Sequence, residues 1–242
     1  SPQTVWTWLL LLYFIPILGF VMYLIIGQDF HKSRMFKAKE IEGELKYAVR
    51  RQEETIYYKR LRMANPEMSR FKDLILYNLT DNNDIRVYTD GKEKFRALIE
   101  EMKQAKRYIH MQYYIIRNDE LWQEVEKVLI QKAREGVAVR VLFDSMGCRT
   151  MKNRDWERLE KEGIQVAEFF PALLGQLQLR VNYRNHRKIV VIDGRVGFVG
   201  GFNVGREYLG RDKKFGYWRD THLCIEGAAV TSLAVRFVLD WN

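Results

Sequence analysis

The stretch that decides the reading of this chain is Asn185-His186-Arg187-Lys188-Ile189-Val190-Val191-Ile192-Asp193, with Gly200-Gly201-Phe202-Asn203 six residues further on. The β-branched run between Lys188 and Asp193 predicts a strand. Side chains alternate along a strand, so His186 and Lys188 share one face and Arg187 takes the other. Asp193-Gly194 is a hairpin-turn signal, and a second strand over Val196 to Val199 runs into the glycine pair. Two glycines there let the backbone come close to a ligand and present open amide donors. An imidazole fixed beside an ammonium is the pairing that phosphodiester exchange needs.

Upstream, strand and helix patterns alternate. Ile85 to Tyr88 reads as a strand, Lys92 to Lys106 as a helix, and Tyr108 to Ile116 as a long strand. Glu120 to Glu135 is an amphipathic helix stopped by Gly136. Strand Val137 to Phe143 ends in Asp144, and helix Met151 to Gly163 leads to strand Gln165 to Phe170. After the motif come strand Arg219 to Ile225 and helix Ala228 to Leu239. Such alternation implies an α/β layered fold with a mixed or mostly parallel sheet and helices on both faces. The expected organisation is an apolar helix over 1–28, a helical linker over 29–66 and the globular domain over 67–242. A helix over Glu67 to Leu79 opens that domain.

Composition narrows the partners. Net charge is +9, and hydrophobic residues make up 47% of the 242 positions, which excludes a disordered chain and points to an anionic partner. Nucleic acid, anionic lipid or plain solvation would each satisfy the charge. Cys148 and Cys224 stand far apart without a metal-ligand spacing, so neither a disulfide framework nor a zinc site is expected. No metal or cofactor is expected. Val5 to Ile26 holds 22 residues without a charge, with Trp6 and Trp8 near one end and Tyr23 near the other. A helix of that length spans a bilayer core. His31, Lys32, Arg34, Lys37 and Lys39 follow it, which puts the remainder on the cytoplasmic side of the cell membrane.

Phosphodiester exchange without a metal needs a nucleophile, a proton donor, cations for the phosphoryl oxygens, and a group that fixes the imidazole tautomer. His186 can attack phosphorus. Lys188 would neutralise the phosphoryl oxygens, with Asn203 and the amides of Gly200 and Gly201 as further donors. Asp193 points away from the imidazole and serves the turn. Asp220, at the start of the next strand, is the better orienting carboxylate, with Glu226 a weaker competitor. His110 and His222 are read as core histidines. Trp156, Phe169, Phe170, Leu173 and Leu174 could shape an apolar entrance, and residues 171–180 could form a lip on the substrate side.

His186-x-Lys188-x4-Asp193 with its glycine pair resembles the HKD signature of the phospholipase D superfamily. Together with Ile109-His110-Met111-Gln112-Tyr113-Tyr114 and Trp218-Arg219-Asp220-Thr221-His222, it resembles bacterial cardiolipin synthases over nearly the whole chain. The resemblance implies transfer of a phosphatidyl group between two phosphatidylglycerol molecules, giving cardiolipin and glycerol through a phosphohistidine. It also implies catalytic roles for His186, Lys188, Asp193 and Asp220. That family carries two such motifs, and neither His31, His110 nor His222 is followed by x-Lys. The chain therefore reads as an N-terminal half, completed by a second HKD half or by a homodimer partner. Which of two such histidines is the nucleophile stays open. A membrane-tethered nuclease or phosphodiesterase working as a homodimer is the alternative, although no nucleic acid partner is expected.

Overall fold

The computed structural model describes residues 2–23, 80, 82–169 and 184–241. The chain forms two compact units, Ser1–Thr55 and Ile56–Asn242. The expected helices over 29–66 and 67–79 and the lip over 171–180 lie outside the described residues.

In the first unit the apolar stretch is two helices, α1 (Pro2–Phe14) and α2 (Pro16–Met22), where one continuous helix was expected. Pro16 has no N–H and disfavours helical backbone at the residue before it. Ile15 accordingly leaves the helix, with φ −135° and ψ 68°. The chain then turns back on itself. The Trp8 and Tyr23 rings meet edge to face at 5.5 Å, and Gly19 packs against the Leu11 carbonyl, where a Cβ would crowd it. No helix among the described residues is long and apolar enough to cross a membrane.

The second unit is built on one seven-stranded sheet. Its strands are β1 (Asn83–Asp90), β2 (Tyr108–Tyr113), β3 (Ala138–Asp144), β4 (Gln165–Phe169), β5 (Ile189–Ile192), β6 (Val196–Gly200) and β7 (Arg219–Gly227). They lie in the order β1-β7-β6-β5-β2-β3-β4. Only β2-β3 and β3-β4 pair in parallel; the other four pairings are antiparallel. The sheet is thus mixed, as one of the two expected forms had it, and its antiparallel pairings outnumber the parallel ones where a mostly parallel sheet was the other. The cause is local. Helices α3 (Gly91–Lys103), α4 (Glu120–Arg134) and α5 (Asn153–Lys161) supply the crossovers in the first half. After residue 184 a tight turn joins β5 to β6, and so short a link can join only antiparallel neighbours. Asp193 and Gly194, with φ of 55° and 68°, make that turn.

Helices cover both faces. Phe95 and Leu98 of α3, Trp122 and Val125 of α4, and Trp156 and Leu159 of α5 pack with Met111, Tyr113, Val190, Phe198 and Phe202 into the larger core. On the opposite face α6 (Ala229–Trp241) packs Val230 and Leu233 against Ile189, Val191 and Ile225. The helix starts are capped as their sequences dictate. The Asp90 carboxylate accepts from the amides of Lys92 and Glu93, and that of Asp119 from Leu121 and Trp122. Cys148 and Cys224 are both buried free thiols.

Candidate active site

Strand parity places the motif. Val190 and Ile192 face the larger core, and Ile189 and Val191 face α6. Lys188, buried just before the strand, continues the first series, and His186, exposed and ahead of the strand, lies beside its ammonium. Lys188 Nζ lies 2.9 Å from His186 Nδ1 and donates to the His186 carbonyl at 2.6 Å. The Tyr114 ring tilts over the imidazole with centroids 4.1 Å apart, and the ammonium sits 5.5 Å from the same ring. Burial and the neighbouring Lys188 push the His186 imidazole below its usual range, with Asp144 pulling the other way. Burial brings Lys188 down to about 8, against the opposing pull of Asp220.

Arg187 takes the opposite face. Its Nη1 lies 3.0 Å from Oδ2 of Asp240, at the end of α6. That oxygen also accepts from Gln112 Nε2 at 2.7 Å and Asn185 Nδ2 at 3.0 Å, while Arg236 Nε lies 3.5 Å from Oδ1. The Asp240 side chain is only 7% exposed. A buried carboxylate with four partners holds both neighbours of His186 in place. From the other side, the buried Asp144 carboxylate accepts from the amide of Asn185 at 3.3 Å and that of Met146 at 2.9 Å. The imidazole is therefore gripped through its flanking residues.

The remaining expected site residues have scaffold contacts. Asp193 accepts from the amides of Lys106, Arg107 and Tyr108, each at 2.8 Å. Burial alone would raise its carboxyl, but those three donors prevail and hold it below the usual carboxylate range. Asn203, 4% exposed, accepts from Ile115 N–H at 3.0 Å and donates to the Tyr208 hydroxyl at 2.8 Å. Each end of that amide makes a bond within the fold. Gly200 N–H donates to the Lys188 carbonyl at 3.4 Å and Gly201 N–H to the Thr221 carbonyl at 2.9 Å, so these amides are engaged within the sheet.

The glycines matter for space. A Cβ on Gly200 would strike the backbone and ring of His222, and one on Gly201 would overlap the Asp220 carboxylate. Asp220 Oδ1 accepts from Thr221 N–H at 2.7 Å, and its charge acts on Lys188. Among the described residues the hydrogen-bonding neighbour of the imidazole is Lys188, and Asp220 reaches it only through that lysine. Behind the glycines, His222 is fully buried. Burial first, then the charges of Lys94 and Lys188, pushes it down to about 2. His110 is stacked 4.5 Å from the Phe237 ring, and burial lowers it to about 4. Both are core histidines.

Tyr114 and Asp240 were missed as site residues. Tyr114 stood inside a strand run whose parity gave no hint of a motif contact. Asp240 lies 53 residues from Arg187, and the packing of α6 on the sheet brings it there.

A family model described as "Cardiolipin synthase, PLD-like domain" matches residues 98–224, and one described as "Phospholipase_D-nuclease N-terminal" matches residues 1–28. The chain is 47% identical to a cardiolipin synthase of Staphylococcus aureus and 46% identical to cardiolipin synthase 2 of Staphylococcus epidermidis. Each match covers 100% of this chain and 51% of the relative. It is 45% identical to the major cardiolipin synthase ClsA of Bacillus subtilis, over 98% of this chain and 51% of that protein. The chain thus spans about half the length of the curated relatives it matches. Among solved structures, it resembles the phospholipase D family member Nuc of Salmonella typhimurium. The TM-score is 0.50 at 16% identity, covering 66% of this chain and 95% of that one. Phosphatidylserine synthase of Haemophilus influenzae gives a TM-score of 0.51 at 20% identity, over 64% of this chain and 35% of that one. These likenesses are of fold. With the family model matching more than half of its length, the chain belongs to the cardiolipin synthase family of phospholipase D-like domains.

Proposed function

We propose that this chain is one half of a cardiolipin synthase, in which His186 takes a phosphatidyl group from phosphatidylglycerol. The observation that carries the reading is the pairing of His186 with Lys188 against Tyr114. Relatives named cardiolipin synthase, matched over the whole of this chain, support the substrate.

Nδ1 of His186 faces Lys188, which leaves Nε2 to the substrate. While Lys188 is charged it donates to Nδ1, so the ring proton sits on Nε2 and that nitrogen has no lone pair to offer. A bound phosphodiester draws the ammonium onto its own oxygens. Nδ1 is then free to hold the proton, and Nε2 can attack. The N–P bond forms as the bond from phosphorus to the glycerol oxygen breaks, and the glycerol leaves with a proton from a general acid. The hydroxyl of a second phosphatidylglycerol then attacks phosphorus, returns a proton to that acid, and regenerates the imidazole. The products are cardiolipin and one glycerol. The acid is assigned to the second HKD half of the protein or to a homodimer partner. Lys188 and Asp220 form a charged pair behind the phosphoryl group, and Asp193 keeps the motif's turn closed.

Val5 to Ile26 supports a place at the cell membrane, and the basic residues after it support a catalytic unit on the cytoplasmic side. The test supplies phosphatidylglycerol vesicles to the full-length protein. Cardiolipin and glycerol should appear in equal amounts, and hydrolysis to phosphatidic acid alone would contradict the assignment.

A further inference from the structure

Between the 3-10 turn at Arg206–Leu209 and β7, the chain makes a loop, Gly210 to Trp218, that neither the fold nor the reaction explains. Glycines in the left-handed region bracket it, Gly210 at φ 66° and Gly216 at φ 62°. Its base is built: the Trp218 ring meets Tyr208 at 5.0 Å and Phe215 at 5.7 Å, and Asp212 accepts from the amide of Lys214 at 2.9 Å. Its tip is apolar and bare. Phe215 is 52% exposed and Tyr217 67%, with Lys213 and Lys214 exposed beside them.

Two large aromatic rings stand in water here, while the other large hydrophobic side chains exposed among the described residues of this unit are the aliphatic Ile85 and Val87 of the edge strand β1. Over residues 211–217 there are three cations, Arg211, Lys213 and Lys214, against the single carboxylate of Asp212. Arg206 lies 3.7 Å from that carboxylate and offsets it further. Among the described residues neither lysine ammonium faces a carboxylate. Aromatic rings interleaved with lysines are what the headgroup layer of a bilayer takes up, rings at the acyl boundary and ammoniums among the phosphates.

We propose that the Lys213–Tyr217 loop is a foot that inserts into the headgroup layer of an anionic bilayer beside the active site. Tyr217 is three residues from Asp220, whose carboxylate lies on Gly201 and acts on Lys188. Seated in lipid, the foot holds the mouth of the site at the depth of the phosphodiester, so the headgroup is reached without lifting the lipid out of the membrane. The inference rests on the phospholipid reading above and adds the surface through which the domain meets its substrate.

The test uses the full-length protein in vesicles of mixed phosphatidylcholine and phosphatidylglycerol. Phe215→Cys carries an environment-sensitive fluorophore, and Glu160→Cys, exposed at the end of α5, carries the same label as control. At 215 the emission should be quenched by a nitroxide on the lipid acyl chain and spared by aqueous iodide, with the reverse at 160. Quenching at 215 by iodide alone would overturn the proposal. So would protection from both quenchers, which would mean that protein covers the loop. The Phe215→Ser/Tyr217→Ser pair should lower turnover of dilute phosphatidylglycerol in vesicles by about tenfold, given what burying an aromatic ring contributes. Turnover of detergent-dispersed substrate should be nearly unchanged, and an equal loss in both formats would contradict the foot. Lipid contact at 215 without any cardiolipin formed would instead count against the reaction and leave the foot standing.

Discussion

The carboxylate of Asp220 occupies the space that a side chain on residue 201 would fill, so Gly201 is the seat of Asp220. The glycine pair after the HKD strand reads in sequence as a source of ligand-binding amides. In the structure those amides are bonded within the sheet, and the missing Cβ atoms are what count. They bring β7 close enough for the Asp220 charge to act on Lys188.

Gly201→Ala is therefore expected to push the Asp220 carboxylate off its seat. Turnover should fall by one to two orders of magnitude, at a cost in stability of about 1–3 kcal/mol from overpacking. Adding Asp220→Ala to it should restore most of the stability, read as the urea midpoint, and none of the activity. Recovery of activity in the double variant would show that Asp220 is dispensable.

Lys188 gives a pH signature of its own. Burial holds its pKa at about 8, below the usual lysine value of about 10.4. Between those two values the unfolded chain binds a proton that the folded one has released, so folding stability rises with pH across that window. Below about pH 8 both states are protonated, and the cost of the buried ammonium stays constant. Lys188→Met should thus unfold at higher urea than wild type at pH 7. Its advantage should shrink as the pH approaches 10.4, and its activity should be lost throughout.

Asp240 is a positioning residue for His186, acting through Asn185 and Arg187. Truncation to Ala leaves the buried amides of Gln112 and Asn185 short of an acceptor and the partly exposed Arg187 without its partner, a loss of about 1–3 kcal/mol. The informative variant is Asp240→Asn, which keeps one acceptor oxygen and nearly the same shape. It should retain the fold and bind substrate with little change in KM while kcat falls about tenfold or more, because the imidazole is less firmly held. Unchanged kcat in Asp240→Asn would remove Asp240 from the account.

His110 and His222 make the domain acid-sensitive. Both are buried, held down to about 4 and about 2, whereas an unfolded histidine titrates near 6.5. As pH falls below 6.5 the unfolded chain takes up protons that the folded one refuses, so stability is present above 6.5 and drains away toward pH 4. The Asp193 carboxylate, held below its ordinary value, adds a loss only at still lower pH. Unfolding of the full-length protein in detergent should therefore shift to lower temperature between pH 6.5 and 5. His110→Phe should flatten part of that slope.

Local pattern carried most of the fold. Helices α3 to α6, every strand and the Asp193-Gly194 hairpin were legible from periodicity, caps and turn residues. So was the nearness of His186 to Lys188, two residues apart in sequence, although His186 lies ahead of the strand and not on it. Strand direction was only partly legible: the Asp193-Gly194 turn signalled the antiparallel β5-β6 pair, whereas the antiparallel pairing of β7 with β6 and β1, and of β5 with β2, joins strands separated by long stretches of chain that carry no directional signal. The break at Ile15 was readable in Pro16, yet hydrophobic length alone favoured a single helix. That Asn203 and the amides of Gly200 and Gly201 bond within the fold was not legible, because a sequence shows which groups could donate and not which are already bonded. Asp240 was invisible for the same reason, since a carboxylate gains its role here from four partners that only tertiary packing assembles.

The most direct test of the central claim is to trap the covalent intermediate. Full-length protein mixed with phosphatidylglycerol labelled in its phosphate, then denatured within a turnover, should carry the label on His186 through a nitrogen–phosphorus bond, stable to base and lost in acid. His186→Ala should show neither label nor cardiolipin. Cardiolipin formed by His186→Ala, or label found on another residue of the wild-type protein, would contradict the assignment of His186 as the nucleophile.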